Sequence, residues 1–234
     1  YGLSIRLVDR ISAFVSYSES FVPQSIGANT SYDYLGNLLD PISGEGWDLG
    51  LKFDLKEGVL SGSLVAFDIT RANAPTPDPD FPGYFIADAE SQARGVEFNL
   101  NGRLTKNIQI VGSYAYIDAK ITQDTRAERI GWRSSNVPRH QSTVWINYSF
   151  RDGWTKGLKT SLGIIYKANR RGNNTLADLP GLQLPGYTRY DGRIGYETKI
   201  KGRKVGFNLS AQNITDIDYQ ASANGYGEAR TVTG

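Results

Sequence analysis

His140 is the single histidine of the chain and lies in "VPRHQS" (137–142). A Ser-His-Asp triad needs an imidazole to take and return the nucleophile's proton, and zinc sites draw on several His or Cys ligands, so either chemistry would rest on this residue alone. Cysteine is absent, which removes thiol catalysis, disulfides and Cys-ligated metal together. A structural place at a strand start is the plainer reading of His140. Asp191, Arg193 and Glu197 resemble an acid/base set. Their even spacing puts them on one strand face, as expected of a wetted wall in which opposite charges pair across strands. Asp78, Asp80 and Asp88 offer oxygens for Ca²⁺, but "PTPDPDFPG" (75–83) lacks the ordered ligand spacing of a calcium loop. "GEG" (44–46) and "GYG" (225–227) lack the strand-to-helix setting of a phosphate cradle. Of the N-x-S/T matches at Asn29, Asn147, Asn173, Asn208 and Asn213, three fall inside predicted strands, against a role as glycan acceptors. The expectation is a chain with no catalytic residue, no metal centre and no resident cofactor.

The elements that would position these residues are extended. Aromatics make up 12% of the chain, with 14 Tyr and 4 Trp, and 26 Gly against 9 Pro argue for strands and tight turns. Period-two alternation recurs from end to end, whereas helical spacing has no sustained run. Trp47, Leu49, Leu51, Phe53 and Leu55 share one face, with Asp48, Gly50, Lys52 and Asp54 on the other. This reading places strands near 1–8, 11–21, 47–55, 59–71, 89–100, 107–119, 139–150, 158–168, 186–198, 204–213 and from 229 onward. A net charge of +2 with no block of basic residues argues against nucleic acid. No apolar run is long enough for a transmembrane helix, which says nothing about a barrel.

The connections alternate in length. Short turns fall at Asp9-Arg10, 56–58, 101–106, 151–157 and 199–203, and long segments at 22–46, 72–88, 120–138, 169–185 and 214–228. In an up-and-down meander, every second connection emerges at the same end, so all tight turns gather on one rim and all long loops on the other. Outer-membrane barrels have this arrangement. A strand of about ten residues, rising ~3.3 Å each and tilted ~45°, spans roughly 23 Å, which fits their ~25 Å apolar band. Tyr148, Phe150 and Trp154 around one short turn, and Tyr196 before another, suit a membrane interface where rings are half wet.

Seven strings, in this order, resemble the C-terminal half of a TonB-dependent siderophore receptor. They are "YSESFVP" (17–23), "PISGEGWDLGLK" (41–52), "ARGVEFNLNGRLT" (93–105), "SYAYIDAKI" (113–121), "NVPRHQSTVWINY" (136–148), "LPGYTRYDGRIGY" (184–196) and "QNITDIDYQ" (212–220). The resemblance implies an all-β fold, an antiparallel meander of about eleven strands within an outer-membrane barrel of about twenty-two. It also implies an N-terminal plug, a motif that engages the TonB complex, and import of ferric siderophores as cargo. Residues 1–234 are then expected to be the C-terminal half of the barrel, with the plug before them and the last strand's end after them.

A ferric siderophore is often bulky, partly aromatic and anionic, so it favours stacking surfaces with a guanidinium nearby. The expected ligand-binding residues are Tyr32, Tyr34, Tyr84, Phe85, Trp132, Arg133 and Tyr226 in the long loops. Asp48, Lys52, Glu97, Asp191 and Arg193 are expected to face the lumen, and the alternate apolar residues to face lipid. The competing readings are a soluble carbohydrate-binding or adhesive β-sandwich, which needs a second sheet over the apolar faces, and an outer-membrane hydrolase built on His140.

Overall fold

The computed structural model describes residues 1–25, 29–55, 59–172, 183–222, 225–226 and 230–233. Its strands are β1 (Gly2–Val8), β2 (Ile11–Val22), β3 (Ile42–Leu55), β4 (Leu60–Pro77), β5 (Phe85–Arg103), β6 (Ile108–Gln123), β7 (His140–Ser149), β8 (Leu158–Lys167), β9 (Arg170–Arg171), β10 (Gln183–Leu184), β11 (Tyr187–Ile200), β12 (Arg203–Gln212), β13 (Gln220–Ser222), β14 (Gly225–Tyr226) and β15 (Thr231–Thr233). Eleven of them form one antiparallel sheet in the order β1-β2-β3-β4-β5-β6-β7-β8-β11-β12-β15. The remaining four make two small ribbons, β9 with β10 and β13 with β14, inside the last two long connections. Neighbours in the main sheet follow one another along the chain, so tight turns and long connections lie at opposite ends of the wall.

The register carries the period-two pattern across strands. Leu3 pairs with Val15, Val15 with Leu49, Leu49 with Ala66 and Ala66 with Val96. One step along, Ala13, Leu51, Leu64 and Phe98 form the next apolar row. Leu49 is 63% exposed and Leu3 69%, so this face has no layer over it among the described residues. Water does not sustain so wide an apolar surface, and hydrocarbon does. The β-sandwich reading therefore fails: among the described residues there is one wall, with no second sheet packed on its apolar side. The apolar rows end where Tyr17 and Trp47 pack with ring centroids 4.8 Å apart, in register with the ion pair of Asp68 and Arg94.

The central strands run further toward the long-connection end than alternation predicts. β3 starts at Ile42 rather than near 47, β4 runs to Pro77 rather than 71, β5 starts at Phe85 rather than 89, and β6 runs to Gln123 rather than 119. At 18 residues β4 covers roughly 42 Å at ~3.3 Å per residue and ~45° tilt, well beyond a ~25 Å apolar band. Past the band both faces meet water, so hydrophobic alternation stops while the hydrogen-bond ladder continues. The prolines that suggested a loop are accommodated because β3 pairs with β4 only as far as Ala72. Pro75 and Pro77 then sit on a free edge, past a bulge with Asn73 at φ +60°.

Several aromatic rings sit over a glycine directly opposite. Phe14 covers Gly50, Phe67 covers Gly95 and Trp145 covers Gly163, each an in-register pair. A Cβ on Gly50 would come within 2.6 Å of the Phe14 ring, and one on Gly163 within 2.7 Å of Trp145. The glycines make room for rings that shield bare backbone on the polar face, a device that also pins register.

Candidate ligand-binding site

The expected ligand-binding residues lie toward the end of the wall that carries the long connections, in separate groups. Between β2 and β3, Asp33 organises a turn: its carboxylate accepts hydrogen bonds from the backbone N–H groups of Leu35 and Asn37 and from the Asn37 amide. Those donors, led by the Asn37 side chain, hold the Asp33 carboxyl below the usual aspartate range. The turn presents Tyr34, which stacks on Phe81 with centroids 3.7 Å apart and planes 7° apart. Phe81 is set by a second turn, in which Asp78 Oδ1 accepts from the N–H groups of Asp80 and Phe81. Tyr32 pairs with Leu38 through a β-bridge.

The acidic trio named for calcium divides into separate tasks. Asp78 makes the turn, and Asp88 accepts from Gln123 Nε2 at 2.6 Å across the β5–β6 hairpin. Tyr84 remains in the connection and exposed. Phe85 corrects the expectation: it is the first residue of β5, half-buried and paired with Pro77, because the ladder outlasts the alternation.

Trp132 and Arg133 lie in the connection after β6, which folds back on β6 through Ile121 N–H to Trp132 O and a bridge between Lys120 and Arg133. This connection is built on a buried carboxylate. Asp124 accepts Arg129 Nη1 at 2.8 Å and the Arg126 N–H, and Thr76 of β4 donates to it at 3.3 Å. The Arg171 guanidinium of β9 covers the Trp132 ring at 3.7 Å. Burial first, and then neighbouring Arg129, make the Arg171 charge costlier than in water. Burial and then Arg139 do the same to Arg133. The Nε groups of Arg126 and Arg129 are buried with no hydrogen-bond partner. Crowded, partly desolvated guanidiniums around an indole make a surface suited to a planar or aromatic anion.

A second polar knot forms where the β12–β15 connection crosses β11. Asp191, 3% exposed, accepts Arg189 Nη2 at 2.8 Å and the Asn213 N–H at 2.9 Å. Asn213 is left-handed at φ +50° and ties its own side chain to both the carbonyl and the N–H of Ile217. Arg189 also donates to the Tyr219 hydroxyl, and Arg170 donates to the Gln220 and Ala221 carbonyls. Asp191 is thus a fastening for the loop, an arrangement that alternation alone presented as a wetted wall position.

Asp48, Lys52, Glu97, Asp191 and Arg193 share one face, the polar one, through the ladder of in-register pairs. Asp48 accepts from Ser16, Lys52 Nζ lies 4.7 Å from the centre of the Phe14 ring, and Arg193 donates to Asn208. Tyr226 pairs with Gln220 through its backbone, and its side chain lies outside the described residues. His140 sits on the opposite face, its Nδ1 2.8 Å from the Tyr114 hydroxyl and its ring against Tyr116. No serine or carboxylate is hydrogen-bonded to it among the described residues, so it has none of the geometry of a triad. Sequence reading missed Phe81, Arg126, Arg129 and Arg171. The dipeptide Arg170-Arg171 at a loop entrance was the available signal, but only the fold brings it to Trp132.

Residues 1–214 match the family described as TonB dependent receptor-like, beta-barrel. The chain is 34% identical to the metal-pseudopaline receptor CntO of Pseudomonas aeruginosa, over 99% of its own length and 32% of that protein. It is 29% identical to the ferrichrome outer membrane transporter/phage receptor of Escherichia coli K12, over 97% of its length and 29% of that protein. It thus spans about a third of these relatives. Among solved structures, BauA, the ferric preacinetobactin receptor of Acinetobacter baumannii, superposes with a TM-score of 0.84 at 26% identity, covering 99% of this chain and 34% of that one. FpvA of P. aeruginosa bound to a heterologous pyoverdine superposes at 0.83 with 20% identity, covering 99% and 31%, which speaks for the fold. With the matched barrel family spanning nearly the whole wall, the chain belongs to the TonB-dependent receptor family of bacterial outer-membrane β-barrels.

Proposed function

We propose that residues 1–234 form the C-terminal half of the barrel of a receptor that takes up ferric siderophores through the outer membrane, driven by the TonB complex. The polar face of Asp48, Lys52, Glu97 and Arg193 lines the lumen around a plug supplied by a preceding part of the polypeptide, and Asp191, on the same face, lies beneath the loop it fastens. The siderophore is cargo and binds among the long connections; no covalent chemistry is involved. The observation that carries this reading is the Arg171–Trp132 stack, with Arg129 and Arg133 close by, at the loop end of a wall whose apolar face is uncovered. Tyr34 with Phe81, and Tyr84, add stacking surface at the same end.

The test is uptake of radioactive iron by cells that carry the intact receptor as their sole siderophore receptor. A panel of ferric hydroxamates, catecholates and carboxylates should yield at least one substrate whose uptake is lost without TonB. Uptake of none of them, with the receptor folded in the outer membrane, would refute the proposal.

A further inference from the structure

The chain's modest positive charge is unevenly distributed. At the short-turn end, a cleft between the β7–β8 turn and the β11–β12 hairpin is lined by Arg151, Lys156, Lys159, Lys199 and Lys204, with Glu197 as its one carboxylate. The whole chain carries only +2. Glu197 is already engaged by Lys159 at 2.8 Å. Lys199 and Lys204 stand directly opposite each other in the ladder. Like charges in that relation repel, and elsewhere on the wall the register sets opposite charges side by side, as with Asp68 and Arg94. Lys156, Lys199 and Lys204 are exposed and make no ion pair among the described residues.

The side of the wall decides what could neutralise this cleft. Lys159, Glu197, Lys199 and Lys204 lie on the polar face, in register with Arg193 and Asn208. Lipid meets the other face, so phospholipid headgroups have no access to these side chains from the bilayer. Barrels of this size have a plugged lumen, and the relatives are longer than this chain, which covers 32% of the first.

We infer that the cleft seats an acidic stretch of the same polypeptide's lumen-filling domain, with carboxylates set against Lys199 and Lys204 at the periplasmic mouth. The inference rests on the receptor reading above. The seat holds the domain's lower edge by charge, so the contact loosens as salt rises, since the screening length shrinks from ~10 Å at about 0.1 M to ~3 Å at about 1 M.

The experiment uses the full-length receptor in outer-membrane preparations. A water-soluble carbodiimide joins lysine amines to carboxylates that touch them, and peptide mapping identifies the partner. The expected result is an amide from Lys199 or Lys204 to an Asp or Glu upstream of residue 1, weakened in high salt and absent in Lys199→Gln/Lys204→Gln. That variant should keep the heat-modifiable mobility of a folded barrel. Amides confined to Glu197 or Asp152, or reaching only a different protein, would overturn the inference. A protein that forms no heat-modifiable barrel would overturn the receptor reading instead, so the two failures are distinct.

Discussion

The guanidinium of Arg171 lies 3.7 Å above the ring of Trp132, a contact between two long connections with the whole of β7 and β8 between them in sequence. It joins the loop after β6 to the loop after β8. Because both residues belong to one surface, losing either removes the same interaction. Trp132→Ala and Arg171→Ala in the intact receptor should each weaken ferric-siderophore binding by about 1–2 kcal/mol, roughly 5- to 30-fold. The double variant should be little worse than either, and Trp132→Phe should retain most of the affinity. Isothermal titration of the purified receptor gives all four values; additive losses would mean two independent contacts.

Asp191 is the keystone of the loop after β12. Asp191→Ala leaves Arg189 half-buried without its carboxylate and frees the Asn213 N–H, and removing one partner of a buried pair costs about 3–5 kcal/mol. Urea unfolding of the intact barrel in lipid should show this loss. Arg193→Ala on the same face, where the partner is an exposed Asn208, should change stability by less than about 1 kcal/mol.

Leu51 and Lys52 are neighbours on opposite faces. Leu51→Arg, within the apolar row that Leu51 shares with Ala13 and Leu64, should destabilise the intact barrel by about 2–4 kcal/mol, while Lys52→Ala should be nearly neutral. Equal tolerance in a lipid refolding assay would overturn the assignment of the faces.

Gly95 and Gly112 look alike in sequence and differ in surroundings. A Cβ on Gly95 would press on the Tyr116 carbonyl and the Phe67 ring, whereas on Gly112 its nearest neighbour is Val144 at an ordinary 3.6 Å. Gly95→Ala should cost about 1–3 kcal/mol, the range for overpacking, and Gly112→Ala should be close to neutral. Thermal unfolding of the two variants side by side distinguishes them.

Much of the wall was legible because its cause is local. Trp47 to Leu55 alternate since successive side chains of a strand point to opposite sides, and hydrocarbon on one side with water on the other writes that geometry into composition. The same cause explains the errors. Phe85 was read as loop because, above the apolar band, no contrast of solvents remains to mark a strand. Asp191 was read as one more wetted position because alternation reports a face and is silent about a loop that comes to cover it. Trp132 and Arg133 were recognisable as candidates from residue type, but Arg129 and Arg171 became part of the surface only through packing.

By itself, the sequence determined the class of structure: alternating strands, short turns at one rim, long connections at the other, and one face fit for lipid. Tertiary structure alone decided which side chains meet. Phe14 reaches Gly50, Asp191 reaches Asn213 and Arg171 reaches Trp132 only once register and loop packing are set. Side-chain direction repeats every two residues and is dictated by the backbone in place, while contacts across long connections depend on the competition among all possible pairings, which no short stretch of chain encodes.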